Sequence, residues 1–76
     1  MTTLGTIKLS KIIKLIEKQG YQKIRQKGSH ATYAKNGAYS ITIAMNQKDA
    51  RRYTLKDVMD ALNITTDELK QLIQNQ

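Results

Sequence analysis

The chain contains no cysteine, no proline and no tryptophan, a single histidine, His30, and only six acidic residues against 13 Lys and Arg. Without cysteine there is no disulfide framework, no thiolate metal site and no thiol nucleophile, and one histidine cannot by itself build a metal centre. No cofactor and no metal are expected. Any chemistry must therefore use oxygen, nitrogen and charge. No apolar run approaches the roughly 20 residues that cross a membrane, so no membrane partner is expected. The N-terminus lacks a positive start, an apolar stretch and a small-residue cleavage site, which makes the cytoplasm the expected compartment. The 76 residues read as one domain over 1–76, and a chain of this size buries only about 60% of the surface its unfolded form exposes. That leaves one thin core and excludes large cofactor enzymes with deep clefts.

The positive excess is unevenly placed. Residues 1–45 carry Lys8, Lys11, Lys14, Lys18, Lys23, Arg25, Lys27 and Lys35 against Glu17 alone, whereas residues 46–76 balance five basic against five acidic side chains. Such asymmetry favours a polyanionic partner, because each phosphate neutralised releases condensed counterions. A charge that serves solubility alone is the bland alternative.

Leu9, Ile12, Ile13 and Ile16 recur at helical spacing, which predicts a helix over about 8–19 ended by Gly20, with Thr6 or Ser10 as its N-cap and a frayed segment Thr2–Gly5 before it. Lys11, Lys14 and Lys18 share its exposed face, either as a solvated stripe or as a phosphate track. Three strands are expected at Tyr21–Lys27, Ala31–Lys35 and Ala38–Met45, separated by Gly28-Ser29 and by Asn36-Gly37. Asn-Gly predicts a type I′ hairpin. In the third strand Tyr39, Ile41, Ile43 and Met45 alternate with Ser40, Thr42 and Ala44, giving one apolar face for helices to cover. Asn46–Tyr53 is a charged connection, after which Thr54 is the expected cap of a second helix through Leu55, Val58, Met59 and Leu62, ended by Asn63. A capping box, Thr65 with Glu68, opens a short third helix bearing Leu69, Leu72 and Ile73. The expected fold is an α+β two-layer domain in the order α-β-β-β-α, with a C-terminal helical extension over 64–76.

The stretch Gly20-Tyr21-Gln22-Lys23-Ile24-Arg25-Gln26-Lys27-Gly28-Ser29-His30-Ala31-Thr32-Tyr33 resembles the signature of the HicA toxin family, with Arg25 through His30 an unbroken match. The resemblance runs through the Asn36-Gly37 turn to Thr54-Leu55, covering about 8–62. Ala31 stands where many members carry an aromatic or His, Asn46–Asp49 replaces a Gly-Lys-rich loop, and Tyr53 replaces a Gly. The resemblance implies a double-stranded-RNA-binding-like fold. It also implies ribosome-independent endoribonuclease activity on mRNA, and neutralisation by a HicB-like antitoxin. A basic catalytic face implies that the antitoxin covers His30 with acidic residues.

The residues carry a reading of their own beside this. Gly28-Ser29 is a turn whose glycine lets a phosphate approach the backbone, and His30 follows it at a sheet rim beside Arg25 and Lys27. An imidazole, with an unperturbed pKa of about 6.5, can take the proton of an RNA 2′-hydroxyl while neighbouring cations stabilise the charge on phosphorus. A lone histidine is more often structural or incidental than catalytic, and it is the matched Gly-Ser-His context, a matter of resemblance, that assigns His30 to catalysis. One histidine cannot be general base and general acid in one step, so water, Lys27 or a substrate group must protonate the leaving oxygen. Ser29 lacks the supporting carboxylate of a nucleophile and is read as a turn or phosphate contact. Tyr33 either stacks a base or positions phosphate, or else packs the sheet.

The expected partners are thus single-stranded RNA, contacted by Arg25, Lys27, Gly28, Ser29 and Tyr33, and the antitoxin. The order Thr54–Leu62, Asn63, Thr66–Gln74 also admits a helix-turn-helix, but its second helix begins with Asp67 and Glu68, which repel phosphates. DNA binding by this chain alone is not expected. A non-catalytic double-stranded-RNA-binding module remains the alternative, with the same fold and charge.

Overall fold

The apolar periodicity of the first helix is realised in α1 (Leu9–Lys18), which buries Leu9, Ile12, Leu15 and Ile16 on one face. This computed structural model describes residues 5–76; the expected fraying of Thr2–Leu4 lies outside them. After α1 come β1 (Gln22–Lys27), β2 (His30–Ala34), β3 (Ile41–Ala44), α2 (Arg52–Leu62) and α3 (Thr66–Gln74). The strands form one antiparallel sheet in the order β1-β2-β3. The architecture is α+β, with the element order of a double-stranded-RNA-binding-like fold and α3 added.

The helix ends follow backbone chemistry more than side-chain caps. Neither Thr6 nor Ser10 caps α1: the cap position is Lys8, without a side-chain bond. The first turn is held instead by Leu9 N–H donating to the Lys48 carbonyl at 3.0 Å and by the Lys8–Asp49 bridge. At the other end Gly20 N–H donates to Glu17 C=O and Tyr21 N–H to Ile16 C=O, each at 3.0 Å, closing the two bonds of a Schellman motif. Thr54 likewise does not cap α2. That helix starts at Arg52, and Thr54 is buried within its first turn. Asn63 ends α2 in the left-handed conformation, as expected, and the Thr65–Glu68 capping box is complete, with bonds of 3.2 and 2.9 Å.

The sheet turns its helix-facing side chains, Ala31 and Tyr33 of β2 and Ile41 and Ile43 of β3, onto Ile12, Leu15 and Ile16 of α1 and onto Leu55 and Val58 of α2. Leu69 of α3 is fully buried, with Leu72 and Ile73 packed against the same core. The third strand is shorter than its alternation implies. Tyr39 is 81% exposed and outside β3, because the chain from Lys35 to Ser40 forms a wider loop. Its turn is not type I′: Asn36 keeps a negative φ, Gly37 takes +79°, and Ala38 N–H donates to Lys35 C=O at 3.2 Å, the pattern of type II.

Candidate active site

The two-residue link between β1 and β2 decides where His30 stands. Gly28 has a φ of +60° at the first central position and Ser29 a negative φ, which is the type II′ pattern whose twist suits a hairpin. Lys27 and His30 therefore pair directly across the turn. A side-chain carbon added at Gly28 would meet nothing within 4 Å, so the glycine is present for its backbone angle and leaves the turn open to an approaching group. The turn is braced on both sides. Gln26 Nε2 donates to Gly28 C=O at 3.1 Å, Lys23 Nζ donates to Gln26 Oε1 at 3.0 Å, and Met45 N–H donates to Ser29 C=O.

A β-bulge then selects the face. Lys23 pairs with Tyr33, but Arg25, not Ile24, is the partner of Thr32. Continued without the shift, the ladder would set Arg25 opposite the core residue Ala31 and leave Gln26 opposite His30. The extra residue moves Arg25 and Lys27 onto the face that carries His30. Residues directly opposite each other share a face, so the open side of the sheet presents Lys27, His30 and Ala44 in one row. Arg25, Thr32 and Thr42 form the next, with the two threonine hydroxyls 3.4 Å apart.

His30 is exposed, and its imidazole makes no hydrogen bond among the described residues. Arg25 and Lys27 are exposed and likewise have no carboxylate partner there. No acidic residue occurs between Glu17 and Asp49. The result is a cationic open face with one imidazole at its end, an arrangement that suits an extended polyanion better than a small molecule needing enclosure. No cluster of three His, Cys, Asp or Glu that could hold a metal occurs among the described residues. A cleft of about 580 Å³ lies at the opposite end of the sheet, lined by Gly37, Ala38, Tyr39, Asp60, Ala61 and Asn63.

The structure thus brings Arg25, Lys27, Gly28, Ser29 and His30 together. Tyr33 is corrected. It alternates to the helix side of β2 and is only 3% exposed, so its ring packs the core and is not available to stack a base. Burial pushes its phenol pKa above the ordinary 10.0, and the Glu17 carboxylate adds in the same direction.

Residues 9–64 match the family model for the HicA toxin of bacterial toxin-antitoxin systems. The chain belongs to the HicA toxin family. The match agrees with the span over which the motif resemblance was read, and it takes in the whole HicA sheet and both flanking helices while leaving α3 beyond it. No curated protein and no solved structure matches the chain.

Two features of this HicA site escaped the sequence. One is the bulge, whose only trace is Ile24 as a lone apolar residue in an otherwise polar strand. The other is Gln47, which is buried beside His30's end of the sheet. Its Nε2 donates to Ala44 C=O at 2.6 Å and to Thr54 Oγ1 at 3.2 Å, and its Oε1 accepts from Arg51 N–H at 2.7 Å. Since Ala44 is the β3 partner of His30, Gln47 fastens the start of α2 to the row that holds the imidazole. Lys48, Arg51 and Arg52 thereby lie at the same end of the molecule.

Proposed function

We propose that this HicA chain is a ribosome-independent endoribonuclease, an mRNA interferase, that cleaves single-stranded RNA in the cytoplasm by metal-free chemistry at His30. The reading is supported above all by the row Lys27–His30–Ala44 on an open cationic face beside the Gly28-Ser29 turn, together with membership of a toxin family. A neutral His30 imidazole removes the 2′-hydroxyl proton, the 2′-oxygen forms a bond to the adjacent phosphorus, and the bond from phosphorus to the 5′-oxygen breaks. Water, Lys27 or a substrate group protonates the leaving oxygen. The products are a 2′,3′-cyclic phosphate, or the 3′-phosphate after hydrolysis, and a 5′-hydroxyl. Arg25 and Lys27 neutralise phosphate charge that grows as the new bond forms, and the backbone at Gly28 and Ser29 admits the phosphate.

The antitoxin in this reading is HicB-like and carries acidic residues over His30, matching the charge of the face it covers. The element order also supports a second reading, a double-stranded-RNA-binding module without catalysis. Growth assays separate the two. Induction of the wild-type chain arrests growth, His30→Ala does not, and the coexpressed cognate antitoxin restores growth to wild type. Arrest by His30→Ala at equal expression would overturn the catalytic role.

A further inference from the structure

Ile24 is 59% exposed, the one apolar side chain in a strand whose other five residues are polar or charged. The bulge leaves it without a pairing partner of its own, beside Arg25. It forms one wall of a cleft of about 330 Å³ whose other lining residues are Gly20, Gln22, Ala34, Lys35 and Asn36. Gln22 pairs with Ala34, and Ala34 alternates with Thr32 and His30, so this cleft opens on the same side of the sheet as the imidazole. Four residues along β2 separate His30 from Ala34, about 13 Å at about 3.3 Å per residue. A few nucleotides of a stacked single strand, at about 3.4 Å each, cover that distance.

The lining has the chemistry of a base site. Ile24 and Ala34 offer apolar surface to the flat face of a ring. The side-chain amides of Gln22 and Asn36 make no hydrogen bond among the described residues and offer paired donors and acceptors to a base edge. The Lys35 stem lies against Gly20, and its ammonium stands 6.0 Å from the centre of the Tyr21 ring, which holds a cation at the cleft wall. No acidic residue lines it.

We infer that this cleft is a nucleobase subsite for the strand cleaved at His30. A base a few positions from the scissile phosphate packs on Ile24, bonds through its edge to Gln22 and Asn36, and places its phosphate near Lys35. The cleft then sets sequence preference at that position, while the Arg25–Lys27–His30 row does the chemistry without reading bases. This inference rests on the ribonuclease reading.

The test uses single-stranded RNA of about eight nucleotides and the full chain. Ile24→Ala raises KM about fivefold, about what one buried methylene contributes, and leaves kcat unchanged. Gln22→Ala changes which base is preferred at one position upstream or downstream of the cut. In a His30→Ala background, Ile24→Ala weakens binding of the same strand by a similar factor. Gln71→Ala, exposed on α3 and outside the cleft lining, changes none of these. Unaltered KM and base preference in the Ile24 and Gln22 variants of a chain that still cuts RNA would overturn the subsite and leave the ribonuclease reading standing. A wild-type chain that neither binds nor cuts RNA would overturn both.

Discussion

His30 lacks the carboxylate that orients many catalytic histidines, and its ring has no hydrogen-bond partner among the described residues. Its placement comes from backbone alone, through the Gly28-Ser29 turn and the pairing to Lys27 and Ala44. A base of this kind acts only when neutral. A cleavage rate that did not fall in acid would therefore remove His30 from the role of base. Tyr33 gives an opposite pH effect on stability. Its folded pKa lies above 10.0 because burial, and then Glu17, disfavour the phenolate. Above pH 10 the unfolded chain releases this proton while the folded chain retains it, so the unfolded state binds fewer protons and stability falls as the pH rises. Denaturant titrations should show Tyr33→Phe with a shallower alkaline loss than wild type, and an equal loss in both would place the effect elsewhere. That Arg25, Lys27 and His30 stand close together was legible from the motif. Tyr33 was not, because its facing depends on β2 register, and only the structure decides between stacking and packing.

Between elements, Gln47 is a joint, because its three hydrogen bonds tie β3, the following loop and α2 together. Gln47→Ala leaves the Ala44 carbonyl, the Thr54 hydroxyl and the Arg51 amide without that partner, at a cost of about 1–3 kcal/mol. For a domain of this size that lowers Tm by roughly 4–24 °C. A thermal melt within about 1 °C of wild type would mean that water replaces the side chain without loss. Nothing local in Asn46-Gln47-Lys48-Asp49 announces this role, since a buried glutamine has no pattern. The helices show the same division. The apolar period of α1, the Asn63 stop and the Thr65–Glu68 box were visible because they are local. The caps of α1 and α2 were misplaced because groups outside each helix hold the first turn: the Lys48 carbonyl for α1 and the Gln47 side chain for α2. Alternation carried β3 too far, since it cannot sense that the loop at Gly37 pulls Tyr39 out of the sheet. The bulge was hidden for a related reason, being a relation between two strands and not a property of one.

Across the whole molecule basic side chains occur at both ends of the sheet, with Lys35 at the end away from His30. Lys27, Lys48, Arg51 and Arg52 gather at the end with His30, while Asp57 and Asp60 lie toward the other end of α2, near Tyr39. Basic residues at the start of a helix oppose its dipole, which favours acids there. The arrangement therefore sacrifices some helix stability to place positive charge at the end that carries His30. RNA affinity should fall steeply with salt, and Lys27→Ala should reduce the slope of log K against log salt by about one contact; an unchanged slope would mean that Lys27 touches no phosphate. The central claim, that His30 makes this HicA chain a metal-free ribonuclease, is tested most directly by incubating wild type and His30→Ala with single-stranded RNA in EDTA and identifying the new ends. The account predicts cyclic-phosphate or 3′-phosphate ends and 5′-hydroxyl ends from wild type alone. Binding without cleavage by both proteins, or equal cleavage by both, would contradict it.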